Sequence, residues 1–515
     1  MGTATSPLGS RAARRTSATR CLHLALLCSL LAGCSFIDWL GGRERVQDFC
    51  TQHPDDPSCH MDMPDADTRC TSNASCMAPT GVCDLAGSRM CIQCLLPDQT
   101  SACTGTTPTC GADNACHACS KHEDCPASSA CLPDGSCAAA NQVAYVDGMQ
   151  GAGAVCSLAM PCKKISDALG THLPYVKVNG QINDQIQIND NVTILANPGS
   201  TLTSTMNGVL VEVRGSSQVA IYDLSIMGAS GPGGTGIGIS LPAGNSASLT
   251  LGRVAIADNS GAGISATGGT LTLSHATISG NTGAGISANT GTLEITSGTI
   301  SGNNGVGISM NTEIASISQS TIGGNVGGGL AATSGSVTIS RSTFIGPGAA
   351  GITISGSQFD ITNNIITGNG GPTSVIGGIR FDQITSGTRR FEFNTVTNNA
   401  AMDGNAVGVL CTLVSQPITF ANSIIYNNQT GGTRTQVGGT NCNWQYSDIG
   451  PDTVGGTGNI NMDPLFVDPA HNNFHVQAAS MVKDKADPTS MMNIDIDGDS
   501  RPQGAGRDMG ADEIK

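Results

Sequence analysis

The sequence predicts an all-β protein in which parallel strands stack into a solenoid, preceded by a small disulfide-rich module. Three observations predict this: a 22-residue repeat between residues 219 and 428, a tandem array of cysteines before it, and a composition rich in glycine and poor in charge. The 515 residues include 68 Gly and 21 Cys, and only 12% are charged, against roughly 25% in ordinary soluble domains. The net charge of −15 speaks against a nucleic-acid binder, which needs a basic face.

The N-terminus has the layout of an export signal. Four arginines and no acid occupy the first 20 residues, an apolar run covers residues 22–31, and small residues lead to Cys34. Segments in this order are typical of secretory signals, and the apolar run is too short for a bilayer, which takes about 20 residues. The run Leu31-Ala-Gly-Cys34 resembles a bacterial lipobox. This implies that residues 1–33 are a lipoprotein signal peptide and that Cys34 carries the lipid; ordinary secretion with a plain Cys34 thiol is the alternative.

Residues 34–65 contain proline and aspartate and are interpreted as a tether. Ser35, rather than aspartate, follows the lipobox cysteine, which by analogy with enteric sorting predicts the outer membrane or cell surface as the location. Because the exported chain is acidic, an acyl anchor rather than attraction to anionic lipid head groups would have to hold it to the membrane.

Residues 66–140 are predicted to form a tandem four-cysteine module. Twelve cysteines fall into three sets of four, which begin 24 and 25 residues apart. Units this short bury little core and need covalent bridges, but the sequence leaves the pairing within each set open. The sets are Cys70, Cys76, Cys83 and Cys91; Cys94, Cys103, Cys110 and Cys116; and Cys119, Cys125, Cys131 and Cys137.

Zinc binding is the alternative interpretation of this array. Two C-x-x-C pairs with histidines nearby have the spacing of a zinc ribbon. One four-ligand site does not explain the regular cysteines on both sides, and an oxidising compartment favours disulfides. The pairs are Cys91 with Cys94 and Cys116 with Cys119, near His117 and His122.

Six further cysteines lie outside the array and are expected to form disulfides as well. Two pairs are close in sequence and predict local bridges, and the third pair is expected to staple two late loops. The pairs are Cys50 with Cys59, Cys156 with Cys162, and Cys411 with Cys442.

The most informative pattern lies between residues 219 and 428. An apolar residue recurs every 22 residues, a second apolar column precedes it by five, a third follows it by eight, and in most repeats an Asn follows it by three. A period in this range predicts a solenoid whose repeats bury their apolar sides against one another. The first column is Ile256, Ile278, Ile300, Ile322, Phe344 and Ile366, and the Asn column is Asn259, Asn281, Asn303, Asn325 and Asn369.

Within each repeat the pattern is that of strands. Apolar residues alternate with hydroxyl residues, as in Leu271-Thr-Leu273, and glycine-rich turns separate the segments. We therefore expect each repeat to form one coil of two or three short strands, stacked on the next at about 4.8 Å. Stacking would make the Asn column a ladder of side-chain amides, and the interior would be too narrow for large aromatic rings.

This pattern resembles the right-handed parallel β-helix proteins of pectate-lyase-like architecture. The opening Ala144-Tyr-Val-Asp-Gly148, the helically spaced residues from Ile165 to Leu173, and endings such as Asp495-Ile-Asp-Gly-Asp and Gly510-Ala-Asp-Glu are similar to that family. The resemblance covers residue 143 to the C-terminus. It implies that residues 141–515 form a right-handed parallel β-helix with an N-terminal helical cap and a C-terminal capping segment. The cysteine array and lipobox together resemble predicted surface lipoproteins of myxobacteria.

Enzymes of this architecture place several carboxylates, with a basic residue or calcium, on one strand face. Here the column that follows the second apolar file is hydroxylic instead, and no column of acids repeats. His275 has no carboxylate at the same position in the next repeats, so it is expected to be an exposed surface residue. The hydroxylic column is Ser274, Thr296, Ser318, Ser340 and Thr362.

The weak catalytic candidates are Arg380, Asp382 and Glu392. They belong to a charged cluster with Arg389 and Arg390, where a longer loop interrupts the 22-residue count, and such loops often carry binding sites. The alternative is an ion-pair network. Asp360 is expected to approach Glu392, since the two flank the equivalent core positions Ile361 and Phe391.

A metal is the other candidate feature. Asp495, Asp497 and Asp499 alternate like calcium ligands, but the rest of an EF-hand-like loop is missing, and a capping turn explains them as well. We therefore expect no cofactor, with calcium at these aspartates as the alternative.

The sequence thus predicts a lipid-anchored cell-surface protein with a binding or structural role towards extended glycans or envelope partners. Its membrane contact would be the lipid anchor, and no nucleic acid is expected as a partner. The alternative is a polysaccharide-modifying enzyme, a lyase, hydrolase or epimerase.

Overall fold

The computed structural model describes residues 70, 72–73, 76, 80, 82–85, 88, 90–95, 103–402, 406–430 and 435–515. The signal peptide, the tether, Cys34, Cys50 and Cys59 lie outside the described residues. The chain divides into two compact units, Met1–Ile92 and Gln93–Lys515. This boundary falls inside the predicted module 66–140, because the third cysteine set packs on the strands that follow it. Within the described ranges, no helix has the length and apolar character needed to span a bilayer.

All three cysteine sets have the same connectivity, first to third and second to fourth. The bridges are Cys70–Cys83 and Cys76–Cys91, Cys94–Cys110 and Cys103–Cys116, and Cys119–Cys131 and Cys125–Cys137. Short antiparallel pairs accompany the first two sets, Val82–Cys83 with Cys91–Ile92 and Thr109–Cys110 with Cys116–His117. Because every sulfur of the array is bonded to another, no thiolate remains for zinc, and the zinc-ribbon alternative is wrong.

The larger unit is built from stacked coils whose strands form three parallel files, confirming the predicted solenoid. Files 1 and 2 form a sheet of 22 strands and file 3 a sheet of 12 strands. In two coils one long strand, Ile286–Thr296 or Ile308–Ser318, runs through both file 1 and file 2.

The remaining strands of file 1 are Ile186–Ile188, Val211–Val213, Ile239–Leu241, Ile264–Ala266, Leu330–Thr333, Ile352–Ser355, Ile379–Asp382, Ala406–Thr412 and Thr435–Gly439. Those of file 2 are Val143–Asp147, Tyr175–Asn179, Val192–Ala196, Gln218–Tyr222, Ser248–Gly252, Thr270–Ser274, Ser336–Ser340, Gln358–Thr362, Arg389–Glu392, Ile418–Ala421 and Cys442–Gln445. File 3 comprises Gln181–Asn183, Thr201–Thr203, Ser225–Met227, Ala255–Ala257, Thr277–Ser279, Thr299–Ser301, Thr321–Gly323, Thr343–Ile345, Ile365–Thr367, Thr395–Thr397, Ile424–Tyr426 and Asp448–Gly450.

Few elements lie outside the files. The α-helix Ile165–Leu169 packs against the first coils and buries Ile165 and Ala168 completely. Two small strand pairs, Ala400–Ala401 with Gln429–Thr430 and Phe466–Asp468 with Asn473–Val476, accompany the last coils. Single 3₁₀ turns occur at His122–Asp124, Ala140–Gln142, Pro232–Gly234 and Pro469–His471.

The register explains why the sequence repeats every 22 residues. Ile278 pairs in parallel with Ile256 on one side and Ile300 on the other, and Ile300 pairs with Ile322. All are buried in one continuous core. Residues at equal positions in successive repeats therefore lie directly above one another, as the periodicity predicts.

The expectation that large rings would not fit the interior is wrong for the C-terminal coils. Phe359, Phe381, Phe391 and Phe420 have no exposed surface, and the ring centroids of Phe359 and Phe381 are 4.4 Å apart. The rings fit because they lie beside one another in neighbouring coils, and a smaller residue shares their column: Cys411 lies in register with Phe381. Tilted and edge-on ring pairs of this kind pack favourably.

The pair Cys411–Cys442 was expected to staple two loops. Instead it joins a file 1 strand, Ala406–Thr412, to a file 2 strand, Cys442–Gln445. Cys411 is almost fully buried, so this bridge belongs to the core of the last coils.

The Asn column forms ladders inside the turn between file 3 and file 1. The side-chain N–H of Asn281 donates to Asn303 Oδ1 at 2.8 Å, and Asn303 donates in turn to Asn325 Oδ1 at 2.9 Å. The backbone N–H of Asn281 also donates to Asn303 Oδ1. The oxygen of each buried amide thus accepts the turn N–H of the preceding coil, and its nitrogen donates to the amide of the next coil. This first ladder consists of two stretches, because Pro347 occupies the position between them. The stretches are Asn259, Asn281, Asn303 and Asn325, and Asn369, Asn399 and Asn428, the second of which ends on Gln436.

A second polar ladder lines the turn between file 2 and file 3. The backbone N–H of Ser342 donates to Asn364 Oδ1 at 2.9 Å, and the Asn364 amide donates to Asn394 Oδ1 at 3.0 Å. Serine and asparagine side chains accept the equivalent backbone N–H group in this column. Because no single residue type repeats, the column is not visible in the sequence. Its members are Ser320, Ser342, Asn364, Asn394, Ser423, Ser447 and Asn459.

The C-terminal segment returns along the outside of the coils, at the edge where file 2 turns into file 3. Arg341 Nε donates to the Ile496 carbonyl at 3.1 Å, and Asn363 Nδ2 donates to the Ile494 carbonyl at 3.0 Å. A second core forms beneath the segment. Its members are Phe393, Ile424, Val476, Val482, Ala486, Met509 and Ile514.

A buried ion pair holds this segment together. Arg501 Nη1 lies 3.1 Å from Glu513 Oε2, both side chains have no exposed surface, and Arg501 Nη2 donates to the Gly510 carbonyl at 2.8 Å. The guanidinium also lies 4.7 Å from the Phe393 ring centroid. Burial lowers the pKa of Arg501, and the neighbouring Glu513 opposes this effect.

Asn303→Ala should weaken the coils on both sides. The change removes the acceptor of the Asn281 amide and the donor to Asn325, leaving buried groups without partners, which costs about 3 kcal/mol in the free energy of unfolding. Urea unfolding followed by circular dichroism measures the loss. The control is Thr299→Ala, an exposed residue of the same coil. Equal stabilities for the two variants would contradict a structural role for the ladder.

Arg501→Met should destabilise the C-terminal segment by about 3–5 kcal/mol, since the variant leaves the Glu513 carboxylate buried without its partner. Limited proteolysis and thermal unfolding should both detect the release of the segment. The control is Lys515→Ala, which breaks the exposed pair Lys515–Asp499 and should leave the melting temperature unchanged. If Arg501→Met melts with the parent, the pair does not hold the segment.

Candidate functional site

The candidate catalytic residues lie on strands rather than on a loop, contrary to expectation, and on two different files. Arg380 and Asp382 project from the file 1 strand Ile379–Asp382, while Glu392 ends the file 2 strand Arg389–Glu392. The insertion that lengthens the repeat lies mainly in residues 370–377, ahead of both strands.

These charges form separate ion pairs. Arg380 Nη2 lies 3.2 Å from Asp382 Oδ2, whose other oxygen accepts from Thr412 at 2.7 Å. Asp360 pairs in register with Arg390 and binds it through two hydrogen bonds, of 2.8 and 2.7 Å. Asp360 therefore meets Arg390, whereas Glu392 lies in register with Thr362.

Glu392 is the perturbed member of this group. Burial raises the pKa of Glu392, although the nearby Arg390 opposes the rise. The other carboxylates of the cluster already have cationic or hydroxyl partners. The arrangement matches the ion-pair network more closely than a pair of catalytic carboxylates.

The three C-terminal aspartates have structural contacts. Asp495 Oδ1 accepts the backbone N–H groups of Asp497, Gly498 and Asp499 at 2.8–2.9 Å, and its Oδ2 accepts from Glu513 N. Asp497 contacts His475 Nε2 at 2.8 Å. Their oxygens lie close enough together for a metal ion, but those of Asp495 already accept four N–H groups.

The hydroxylic column runs along the outer side of file 2, where its members are half-buried except for the buried Thr362. Ser274 pairs in register with Thr296, and the column continues coil by coil to Thr362. We call the outward side chains of the file 2 strands from Thr270 to Thr362 the hydroxyl face. Glu294, Ser316 and Thr338 in its centre are exposed. His275 is exposed beside it, as expected.

An aromatic ring stands at the N-terminal end of the hydroxyl face. Ser274 pairs with Gly252, and Gly252 pairs with Tyr222. A Cβ on Gly252 would overlap the Tyr222 ring, so the ring lies across the glycine. Arg253 lies 5.8 Å from the centroid of the same ring and binds Asp223 through two hydrogen bonds of 2.7 Å.

Beyond Tyr222 the third cysteine set, residues 119–137, covers file 2. Tyr145, Lys177 and Leu195 continue the column in register and are all buried. The Tyr145 hydroxyl donates to the Ser128 carbonyl at 2.8 Å. Tyr145 and Leu195 belong to one apolar cluster with Ala130 of the set and Ala138, the residue directly after it.

His122 fastens the same contact through both ring nitrogens. Nδ1 accepts the Cys131 N–H at 3.1 Å, so Nε2 carries the proton and donates to the Ala196 carbonyl at 3.2 Å. This bonding requires neutral imidazole. Burial and the nearby Lys177 lower the pKa of His122, and burial lowers the pKa of Lys177 to about 7 despite Glu123 and Asp223.

A cleft of about 480 Å³ opens where the third cysteine set meets the coils. Lys121, Glu123 and Asp134 line one wall, and Tyr222, Asp223 and Arg253 line the other. Sequence reasoning missed this site. Lys177 lies between two valines in the strand Tyr175–Asn179, and this alternation predicts an ordinary outward-facing residue. The sequence pattern does not indicate that a disulfide-bonded unit covers this side chain.

Comparisons with known proteins concern the coils. The family model described as "Right handed beta helix region" matches residues 207–366 and 307–449. The structure of pectate lyase Pel9A is similar at 13% identity and a TM-score of 0.42, over 72% of this chain and 96% of its own. The A-module of Azotobacter vinelandii mannuronan C-5 epimerase AlgE4 is similar at 15% identity and a TM-score of 0.36, over 54% and 92%. No curated protein sequence matches the chain.

Likenesses at such low identity concern the fold alone. The described coils form three files of parallel strands in register. The match to the family model indicates that the coils are right-handed. The coils of the larger unit thus form a right-handed parallel β-helix, and a disulfide-rich region precedes them in the chain.

Proposed function

We propose that this protein is a lipid-anchored cell-surface binding protein whose hydroxyl face holds an extended glycan. The observation that carries the proposal is the in-register column of Ser and Thr side chains with exposed neighbours on file 2. Coils stacked about 4.8 Å apart offer hydroxyl groups at regular intervals along the file. An extended polymer with repeating hydroxyl groups suits such a surface.

Binding rather than catalysis is favoured by the state of the carboxylates. Glycoside-cleaving sites need two carboxyl groups at a defined separation across one bond. On the hydroxyl face, Asp360 is tied to Arg390 by two hydrogen bonds, and Glu294 lies in register with Thr272 and Ser316. No second carboxylate adjoins Glu294 among these described neighbours.

The surface location rests on the N-terminal sequence and on the disulfides. Eight disulfides lie in the described part of the chain, and such bridges persist in oxidising compartments outside the cytosol. Acylation of Cys34 would then fix the protein to the membrane.

Replacing Thr272, Ser316 and Thr338 together by Ala should weaken glycan binding about tenfold, because three hydroxyl contacts are lost. The measurement is affinity for a panel of neutral and acidic polysaccharides, with and without calcium, and with product analysis for turnover. The matched control replaces Thr277, Thr299 and Thr321 of file 3, which are exposed hydroxyl residues on another side of the coils, and should keep full affinity. Equal loss in both variants, turnover of any polysaccharide, or no binding at all would count against the proposal.

Cys34→Ser should abolish lipid attachment and release the protein from membranes. Cells producing the parent or the variant are grown with radiolabelled palmitate, and the membrane and soluble fractions are compared. The parent should be labelled and sediment with the outer membrane. The control is Cys28→Ser, a cysteine within the predicted signal peptide, which should behave as the parent. Labelling that survives in Cys34→Ser would refute the anchor.

A further inference from the structure

We propose that the cleft beside Tyr222 binds the terminal sugars of a neutral polysaccharide, so that this protein recognises chain ends rather than chain interiors. The inference rests on the proposed function and adds a ligand class and a direction to it. The bound end would occupy the cleft, and the rest of the chain would follow the hydroxyl face.

The closure of one end of file 2 carries the directional part of the argument. From Thr362 back to Ser274 the face is polar and accessible in its centre, and the column then reaches Gly252 and Tyr222. Its next members, Leu195 and Lys177, are buried under the third cysteine set. A polymer lying along the face therefore cannot continue along file 2 past Tyr222, and the cleft is placed to take its end.

The chemistry of the cleft suits a sugar. Gly252 gives the Tyr222 ring room to lie across the strand, as a platform against which the apolar face of a pyranose can pack. The Arg253–Asp223 pair beside the ring presents coplanar donors and acceptors. The Asp223 pair uses only Nε and Nη2, so the remaining N–H groups of the Arg253 guanidinium can reach sugar hydroxyls. The volume of about 480 Å³ lies within the range of about 300–1,000 Å³ for small-ligand sites.

The charges of the cleft argue for a neutral sugar. The two cations Lys121 and Arg253 face three carboxylates along the same walls, those of Glu123, Asp134 and Asp223. His122 is held neutral by its two hydrogen bonds. No excess positive charge is present among these lining residues, whereas acidic polysaccharides need one.

The test counts binding sites per chain end. Amylose, laminarin, mannan and dextran are each titrated calorimetrically into the full-length protein, intact and after partial hydrolysis to about ten times as many chains. End recognition predicts about tenfold more binding sites per gram of the hydrolysed polysaccharide. A number of sites that follows the total mass of sugar would overturn the inference while keeping the proposed function. Failure of all four polysaccharides to bind would overturn the inference, and the proposed function falls with it only if the acidic polysaccharides of the larger panel also fail to bind.

Two variants localise the end site. Gly252→Ala places a methyl group where the Tyr222 ring lies and should weaken binding of the hydrolysed chains about tenfold, as should Arg253→Ala. Tyr222→Phe keeps the ring and should retain most of the affinity. Gly371→Ala, where an added Cβ meets nothing within 4 Å, is the control for a glycine replacement. If Gly252→Ala and Arg253→Ala bind as the parent does while the Thr272, Ser316 and Thr338 variant is impaired, the end site is refuted and the hydroxyl face stands.

Discussion

The structure depends on the satisfaction of buried polar groups by the same group one coil away. A solenoid with short turns must bury backbone N–H and C=O groups at every corner, and each unsatisfied group would cost about 1–3 kcal/mol. Here the Oδ1 atom of Asn303 accepts both the backbone N–H and the side-chain N–H of Asn281. The same arrangement recurs in successive coils, so each turn is satisfied by the asparagine of its neighbour. Apolar columns such as Ile278 and Ile300 contribute the hydrophobic stabilisation, and these columns and the amide rows together hold the coils in register.

Sequence alone predicted this architecture because the rule is periodic. The Asn column repeats one residue type, and so it is visible in the sequence. The second ladder was missed because Ser342, Asn364 and Ser423 do the same work with different side chains. The sequence does not show that aromatic rings fit the interior of the C-terminal coils. Phe381 and Phe391 fit because smaller residues such as Cys411 leave space beside them, and this depends on packing between columns rather than on the pattern within one column.

The candidate site was beyond sequence reasoning for a different reason. Cleft residues such as Glu123 and Asp223 are about a hundred residues apart and meet only because the third cysteine set folds onto file 2. The cysteine pattern predicts that the set is cross-linked but not which surface it covers. Lys177 illustrates the point, because its alternating neighbours give it an ordinary outward position, whereas the docked unit makes it a buried amine with a pKa of about 7.

Pro347 gives the solenoid a seam. The amide row in the turn between file 3 and file 1 ends at Asn325 and starts afresh at Asn369, whereas the second polar ladder continues past the proline from Ser342 to Asn364. A solenoid of this kind therefore tolerates an interruption in one of its polar rows. At the proline, the other ladder and the aliphatic column from Ile322 through Phe344 to Ile366 still hold the coils on both sides in one line.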